Sequence, residues 1–213
     1  MHPLSKLFLS LAEIYSAENR NGAKLAAKAL IQASRNIDTP KFLENQFSKE
    51  VKFAINLNGH FLNKLLDEAL PFIHWGGSDL REGRVPENLA NQMPMCELIG
   101  PDGMYFEEDV RVGLWLQNKN IIYGPRQHEA EETFFIFEGE AEWWNEKTSN
   151  KIAGSGTYIF HPSNILHTSI TKNQSILTTW RWSGEIGFDK YKLSNTSSKQ
   201  QQSRFIYSGI NDE

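Results

Sequence analysis

Apolar residues recur at helical spacing from Leu4 to about Phe72, and beyond Met95 the period shortens to that of strands. In the first part Leu4, Leu7, Phe8, Leu11 and Ile14 form one stripe and Leu25, Ala26, Leu30 and Ile31 another, which predicts three or four helices. The segment Val51–Leu70, carrying Phe53, Ile55, Phe61, Leu65, Leu66 and Ala69, is expected to be the longest, closed by Pro71 because proline cannot continue a helix. Stripes of this kind are core or subunit interface, so the helices are expected to pack on the rest of the chain or on a second copy in a homodimer. Between Gly76 and Gln92 the run GGSDLREGRVPENLANQ mixes glycine, proline and charge without a period, as a connection does.

From Met95 the chain turns to short β-branched and aromatic runs broken by turn residues: Val110–Gln117, Ile121–Tyr123, Thr133–Phe137, Ala141–Trp144, Thr157–Phe160, Thr168–Ile170 and Ile176–Trp182. Many short strands at regular spacing predict a mainly β jelly-roll barrel, preceded here by an α-helical segment. The expected division is residues 1–92 helical, 93–193 barrel and 194–213 polar tail. The tail, SNTSSKQQQS and beyond, is expected to be mobile, with Phe205, Ile206 and Tyr207 as the residues able to dock back.

Composition narrows the partners. A chain of 213 residues with 39% hydrophobic and 12% aromatic content can bury a sizeable core. Its net charge of -4 argues against a nucleic-acid backbone as partner, and no stretch is long and apolar enough to span a bilayer. The opening MHPLSKLFLSLAEIY has the apolar run of a secretion signal, but Glu13, Glu18 and the missing small-residue cleavage site speak against export. Cys96 is the sole cysteine, expected as a small buried hydrophobe in a reducing compartment, so a cytoplasmic location is expected.

Two patterns carry chemistry. His128, Glu132 and Gly139 stand as H-x-x-x-E followed by a glycine, and Gly156, Pro162 and His167 as G-x-x-x-x-x-P-x-N-x-x-H. Together they resemble the paired motifs of the cupin superfamily, which implies a cupin barrel holding one divalent metal ion through His128, Glu132 and His167. Strand alternation agrees with this: His128, Ala130, Glu132, Phe134 and Ile136 share a parity and all face inward if the strand is regular. An inward carboxylate among apolar neighbours is costly without a charge partner, and a metal supplies one. Zn, Fe, Mn and Ni all remain open as its identity. His2, His60 and His74 are expected to be ordinary core or surface residues, His161 an unassigned candidate beside the metal, and Glu129 and Glu131 solvated.

The stretch from Tyr123 to Tyr191 is similar, more narrowly, to the cupin-type dimethylsulfoniopropionate lyases and their lyase-like relatives. The resemblance rests on Y-G-P-R-Q-H-E-A-E-E, E-G-E-A-E-W-W, H-P-S-N-I-L-H and the closing W-R-W-S-G-E-I. It implies a lyase acting on a small-molecule carboxylate: a base removes the proton beside the carboxylate, dimethyl sulfide leaves and acrylate remains. It also places Tyr123 near the substrate as the candidate base, which requires a nearby metal or Arg126 to favour the phenolate, since free tyrosine titrates near 10. Tyr123 filling the barrel mouth as a packing residue is the alternative.

Two positions depart from that pattern. Arg126 stands where the family has a further histidine, and Phe134 where it has a tyrosine able to reach the metal. Phe134 can neither ligate nor take a proton. Arg126 offers a planar fork suited to a carboxylate but opposes a sulfonium, since two like charges at about 4 Å and an effective dielectric near 20 cost roughly 4 kcal/mol. Trp180 and Trp182 share a parity and are expected to form an aromatic wall for a cationic head, while of the adjacent Trp143 and Trp144 only one faces inward. A two-histidine, one-carboxylate set also suits a cupin oxygenase or isomerase, and Arg126 suits a non-catalytic acid-binding cupin.

Overall fold

The computed structural model describes residues 1–77 and 84–194. Beyond Ser194 the tail, with Phe205, Ile206 and Tyr207, lies outside the described residues, as does part of the connection.

Four helices open the chain: α1 Pro3–Ala17, α2 Asn21–Ala33, α3 Gln46–Ala54 and α4 Phe61–Ala69. The first stripe is core as expected, with Leu4, Leu7, Phe8, Leu11 and Ile14 all buried. In α2 the burial falls on Ala26 and Leu30, whereas Leu25 and Ile31 face outward. The single long helix expected over Val51–Leu70 is instead two. Residues 55–60 break it because Asn56 bonds Asn58 locally, Gly59 turns the chain, and the His60 ring caps α4 by accepting from the Leu62 N–H at 3.3 Å. Pro71 does not close α4 but sits in a 3-10 turn, Leu70–Phe72, at a position where its missing N–H costs nothing. Phe53 and Phe61, expected on the core stripe, are 95% and 53% exposed. The connection holds a one-turn helix, α5 Glu87–Ala90, and Gly76 bridges to Met95.

Ten strands follow: β1 Met95–Ile99, β2 Val110–Gln117, β3 Ile122–Gln127, β4 Glu131–Glu138, β5 Glu140–Asn145, β6 Thr148–Gly154, β7 Tyr158–His161, β8 His167–Ile170, β9 Ile176–Ser183 and β10 Lys192–Leu193. They form two antiparallel five-stranded sheets, β1-β2-β9-β4-β7 and β10-β3-β8-β5-β6, facing one another as a jelly roll. Strands β1, β6 and β10 were not foreseen. β6 is an edge strand exposed along most of its length and carries no apolar alternation. The β4–β5 hairpin needs Gly139, whose φ of +74° and contact with the Ser175 carbonyl exclude a side chain.

Alternation along the first sheet divides the interior in two. Val110, Val112, Leu114, Leu116, Phe135, Phe137 and Leu177 face the helices, while Trp115, Phe134, Ile136, Trp180 and Trp182 face the barrel interior with Tyr123 and Trp143 of the other sheet. Polar residues fix the helical layer to the sheet. Glu18, ending α1, accepts from Arg181 Nη2 at 2.6 Å, Arg181 Nε at 3.0 Å and Thr133 Oγ1 at 2.8 Å, and the Tyr15 hydroxyl meets Thr179 Oγ1 at 2.8 Å.

Candidate metal centre and cavity

Glu132 lies second on β4, so alternation turns it inward with Phe134 and Ile136. His167 enters from the opposite sheet as the first residue of β8. His128 is not on β4: it sits in the turn between β3 and β4, and its inward aim comes from a local bond, not from strand parity. Its Nδ1 lies 3.0 Å from the Ala130 carbonyl, and His167 Nδ1 lies 2.9 Å from that of Ile165. A carbonyl only accepts, so both rings carry their proton on Nδ1 and turn a bare Nε2 lone pair inward.

Those lone pairs converge on one carboxylate oxygen, with His128 Nε2 at 3.4 Å and His167 Nε2 at 3.3 Å from Glu132 Oε2. Three acceptors cannot hydrogen-bond one another, and all three atoms are buried without a hydrogen-bond partner among the described residues. Two ligand atoms each about 2.1 Å from one ion are about 3.0–3.4 Å apart for angles between 90° and tetrahedral, which matches the spacing found here. The group His128, Glu132 and His167 could therefore bind a metal ion.

Arg126, near the end of β3 opposite His167, is fully buried. Its Nη1 donates to the Tyr123 carbonyl at 2.7 Å, its guanidinium lies 4.1 Å from the centre of the Tyr123 ring, and Nη2 sits 3.9 Å from Glu132 Oε2 without a hydrogen-bonding partner. Glu132 thus has a charge partner from the chain itself, which the sequence reading had sought only in a metal. Its other oxygen, Oε1, accepts from the indole N–H of Trp182 at 2.6 Å. Trp180 and Trp182 both face inward, on the central strand of the sheet, and Gly113 leaves the space that the Trp180 ring fills. Of the adjacent pair, Trp143 is the inward one.

Tyr123, Arg126, Glu132, Phe134, Trp180 and Trp182 line a cavity of about 430 Å³. The Tyr123 hydroxyl meets that of Tyr191 at 2.6 Å, and Tyr191 lies parallel to the His128 ring. Tyr191 was missed as a site residue: no spacing rule links it to Tyr123, 68 positions away. His74, expected to be unremarkable, also lines the cavity, as does the buried Cys96. Glu129, expected to be solvated, is half-buried and paired with Lys190 at 2.8 Å.

Electrostatics suit a neutral His167 beside a charged carboxylate. Burial raises Glu132, but His128, His167 and the Arg126 guanidinium beside it outweigh burial and hold the carboxyl well below its usual range. Burial, reinforced by Arg126, pushes His167 down to about 4. Tyr191 is pushed well above the ordinary tyrosine range by burial and by Tyr123 beside it, so it keeps its proton.

Residues 18–178 match the family model of dimethylsulfoniopropionate lyase, more than half of the chain. The chain belongs to the dimethylsulfoniopropionate lyase family. The match covers the three convergent residues and Arg126, and stops short of Trp180, Trp182 and Tyr191. Among curated members of the family, dimethylsulfoniopropionate lyase DddQ of Ruegeria pomeroyi is 30% identical over 89 residues, a stretch covering 42% of this chain and 44% of DddQ. The alignment thus spans less than half the length of that relative. In structure, DddQ of Ruegeria pomeroyi superposes over 92% of this chain and 98% of its own, with a TM-score of 0.68 and 16% identity. A chain from the crystal structures of DMSP lyases RdDddP and RnDddQII covers 90% and 97%, with a TM-score of 0.65 and 21% identity. These likenesses establish the family's fold, a cupin barrel behind N-terminal helices, over nearly the whole described chain.

Proposed function

We propose that this chain is a metal-dependent carbon-sulfur lyase that cleaves dimethylsulfoniopropionate into dimethyl sulfide and acrylate by β-elimination. The observation that carries the reading is the convergence of three buried acceptor atoms, His128 Nε2, Glu132 Oε2 and His167 Nε2, beside a cavity that also contains an unpartnered arginine N–H. One divalent ion is assigned to the three acceptors, with Zn, Fe, Mn and Ni as the candidates. Bound there, it supplies positive charge against the substrate carboxylate, making the adjacent C–H more acidic.

The chain's own residues do the rest. Arg126 Nη2, close to Glu132, holds the substrate carboxylate at the inner end of the cavity. The sulfonium then lies against the faces of Trp180 and Trp182. Tyr123 takes the proton from the carbon next to the carboxylate. Tyr191, which keeps its own proton, donates its hydroxyl to the Tyr123 oxygen, and the Arg126 guanidinium over the ring favours the phenolate. The C–H electron pair becomes the second bond of acrylate, the C–S pair leaves with dimethyl sulfide, and the proton rests on Tyr123. Phe134 contributes only packing and an apolar wall.

Headspace detection of dimethyl sulfide from purified, metal-loaded protein tests the reading. Release that disappears on chelation and returns with the ion supports it; metal-loaded protein that releases none overturns it.

The same proposal divides the chain at 1–92, 93–193 and 194–213 and places it in the cytoplasm as a homodimer. No helix of the described residues is long and apolar enough to cross a membrane. Phe53, Leu57 and Phe61, all more than half exposed around the α3–α4 junction, offer an apolar face for a second copy. A monomer by sedimentation at high concentration removes the interface.

A further inference from the structure

Beyond the three ligands, β7 ends in a fourth buried imidazole that nothing above uses. His161 is directly opposite Glu132 across β4 and β7, stacks on His167 with ring centres 4.1 Å apart and planes 18° from parallel, and is 1% exposed. Neither of its ring nitrogens has a hydrogen-bond partner among the described residues. A neutral imidazole has one donor and one acceptor, and burying both unsatisfied is a cost that native interiors avoid by placing a water or an ion against them.

The surroundings say which. His161 does not line the substrate cavity. It is enclosed by the rings of Phe134 and Trp143, at 6.2 Å and 6.1 Å, and the Trp143 indole N–H is likewise buried and unpartnered. The ring nitrogens of His161 also fall outside the set of ligand atoms lying within 4.8 Å of one another. Direct coordination is thereby disfavoured, and a bridging water is the remaining way to satisfy the ring nitrogens. A water needs two or more polar partners; the imidazole, the unpartnered Trp143 indole N–H and the metal centre beside His167 are the polar groups near it.

We propose that His161 is a further member of the metal centre, holding a water on the ion from its place among the rings of Phe134, Trp143 and His167. The substrate then approaches from the cavity side while that water stays in place, which needs an ion of at least five-coordination. Outer groups of this kind orient what the ion holds and raise its affinity. The proposal rests on the metal-dependent reading above.

Mn(II) serves as the probe, its water ligands counted by electron–nuclear double resonance in 17O-enriched water and its affinity measured by titration. His161→Phe keeps a ring stacked on His167 and removes both nitrogens; His161→Leu makes the same loss with a smaller group should the larger ring disturb the pocket. The expected result is one bound water fewer than in wild type and affinity lower by about 10–100-fold. Recovery of both in His161→Gln, which returns a donor and an acceptor, supports the assignment. A folded apolar variant with unchanged water count overturns the proposal whether or not affinity falls, and leaves the triad standing. Wild-type protein that takes up no Mn(II) or other candidate ion overturns this proposal and the metal-dependent reading together.

Discussion

Glu132 and Trp182 stand directly opposite one another on β4 and β9, and the indole N–H of Trp182 holds one carboxylate oxygen at 2.6 Å while the other faces the two imidazoles. The tryptophan is therefore both a wall of the cavity and the group that sets which Glu132 oxygen is available.

Trp182→Phe is expected to keep the wall and release the carboxylate. Metal affinity should fall by about 10–100-fold, the range for losing an outer hydrogen bond to a ligand. Elemental analysis after dialysis against a graded chelator checks this, with His167→Ala as the reference for loss of a ligand itself. Equal retention of metal by Trp182→Phe and wild type contradicts the role given to the N–H.

How far the sequence reached follows the range of the interactions involved. Glu132, Phe134, Trp180 and Trp182 were legible as inward-facing because strand alternation is a local rule, and His167 because its turn carries a compact motif. The motif grouped His128 with Glu132 and His167, but strand parity does not aim it inward, since it precedes β4. The Trp182–Glu132, Tyr123–Tyr191 and Glu18–Arg181 contacts were not legible: they join residues 50, 68 and 163 positions apart, and no periodicity records such pairing. The break between α3 and α4 carried a local signal in Asn56, Asn58 and Gly59, which the apolar stripe obscured. In the sequence Glu18 appeared only as a charge unsuited to a secretion signal.

That buried pair yields a stability prediction far from the cavity. Glu18→Ala leaves Arg181 buried without its carboxylate and removes the partner of Thr133, so it should cost about 3–5 kcal/mol. Replacing both members by apolar residues, as in Glu18→Met with Arg181→Leu, should recover most of the loss, because a well-packed apolar pair often matches a buried ion pair. Urea unfolding of the single and double variants decides it; a single variant within about 1 kcal/mol of wild type refutes the anchoring role.

A pH dependence follows from His60. Burial holds its pKa below the ordinary value of 6.5, partly offset by Glu138, and its Nδ1 must stay unprotonated to cap α4. The folded pKa lies below the unfolded one, so this contribution is fully present above about pH 6.5 and is lost as pH falls through the folded pKa. The ring is half-buried and in reach of solvent screening, so the loss should be a fraction of a kcal/mol. His60→Asn caps without titrating, and its stability relative to wild type should rise from about pH 7.5 to about pH 5. A constant difference across that range contradicts the sign.

The decisive chemistry concerns Arg126, Tyr123 and Phe134. Arg126 already bonds the Tyr123 carbonyl through Nη1 and lies over its ring, leaving Nη2, 3.9 Å from Glu132, as the nitrogen turned to the substrate. If it grips the carboxylate, Arg126→Ala should raise KM far more than it lowers kcat, by the equivalent of about 1.5–3 kcal/mol for a charged hydrogen bond. Tyr123→Phe should abolish dimethyl sulfide release while leaving metal content unchanged, because Tyr123 is not one of the three converging ligands and its hydroxyl meets Tyr191. Phe134→Tyr returns a hydroxyl to an inward position of β4. With Arg126→His it restores both residues of the family pattern, and higher dimethyl sulfide release from that double variant would mean that the two departures attenuate the reaction in the wild-type chain. Full activity in both wild type and Tyr123→Phe would move the base elsewhere in the cavity. The other ionisable cavity walls include His74 and Glu97, and His74→Ala and Glu97→Gln would be the next variants to measure.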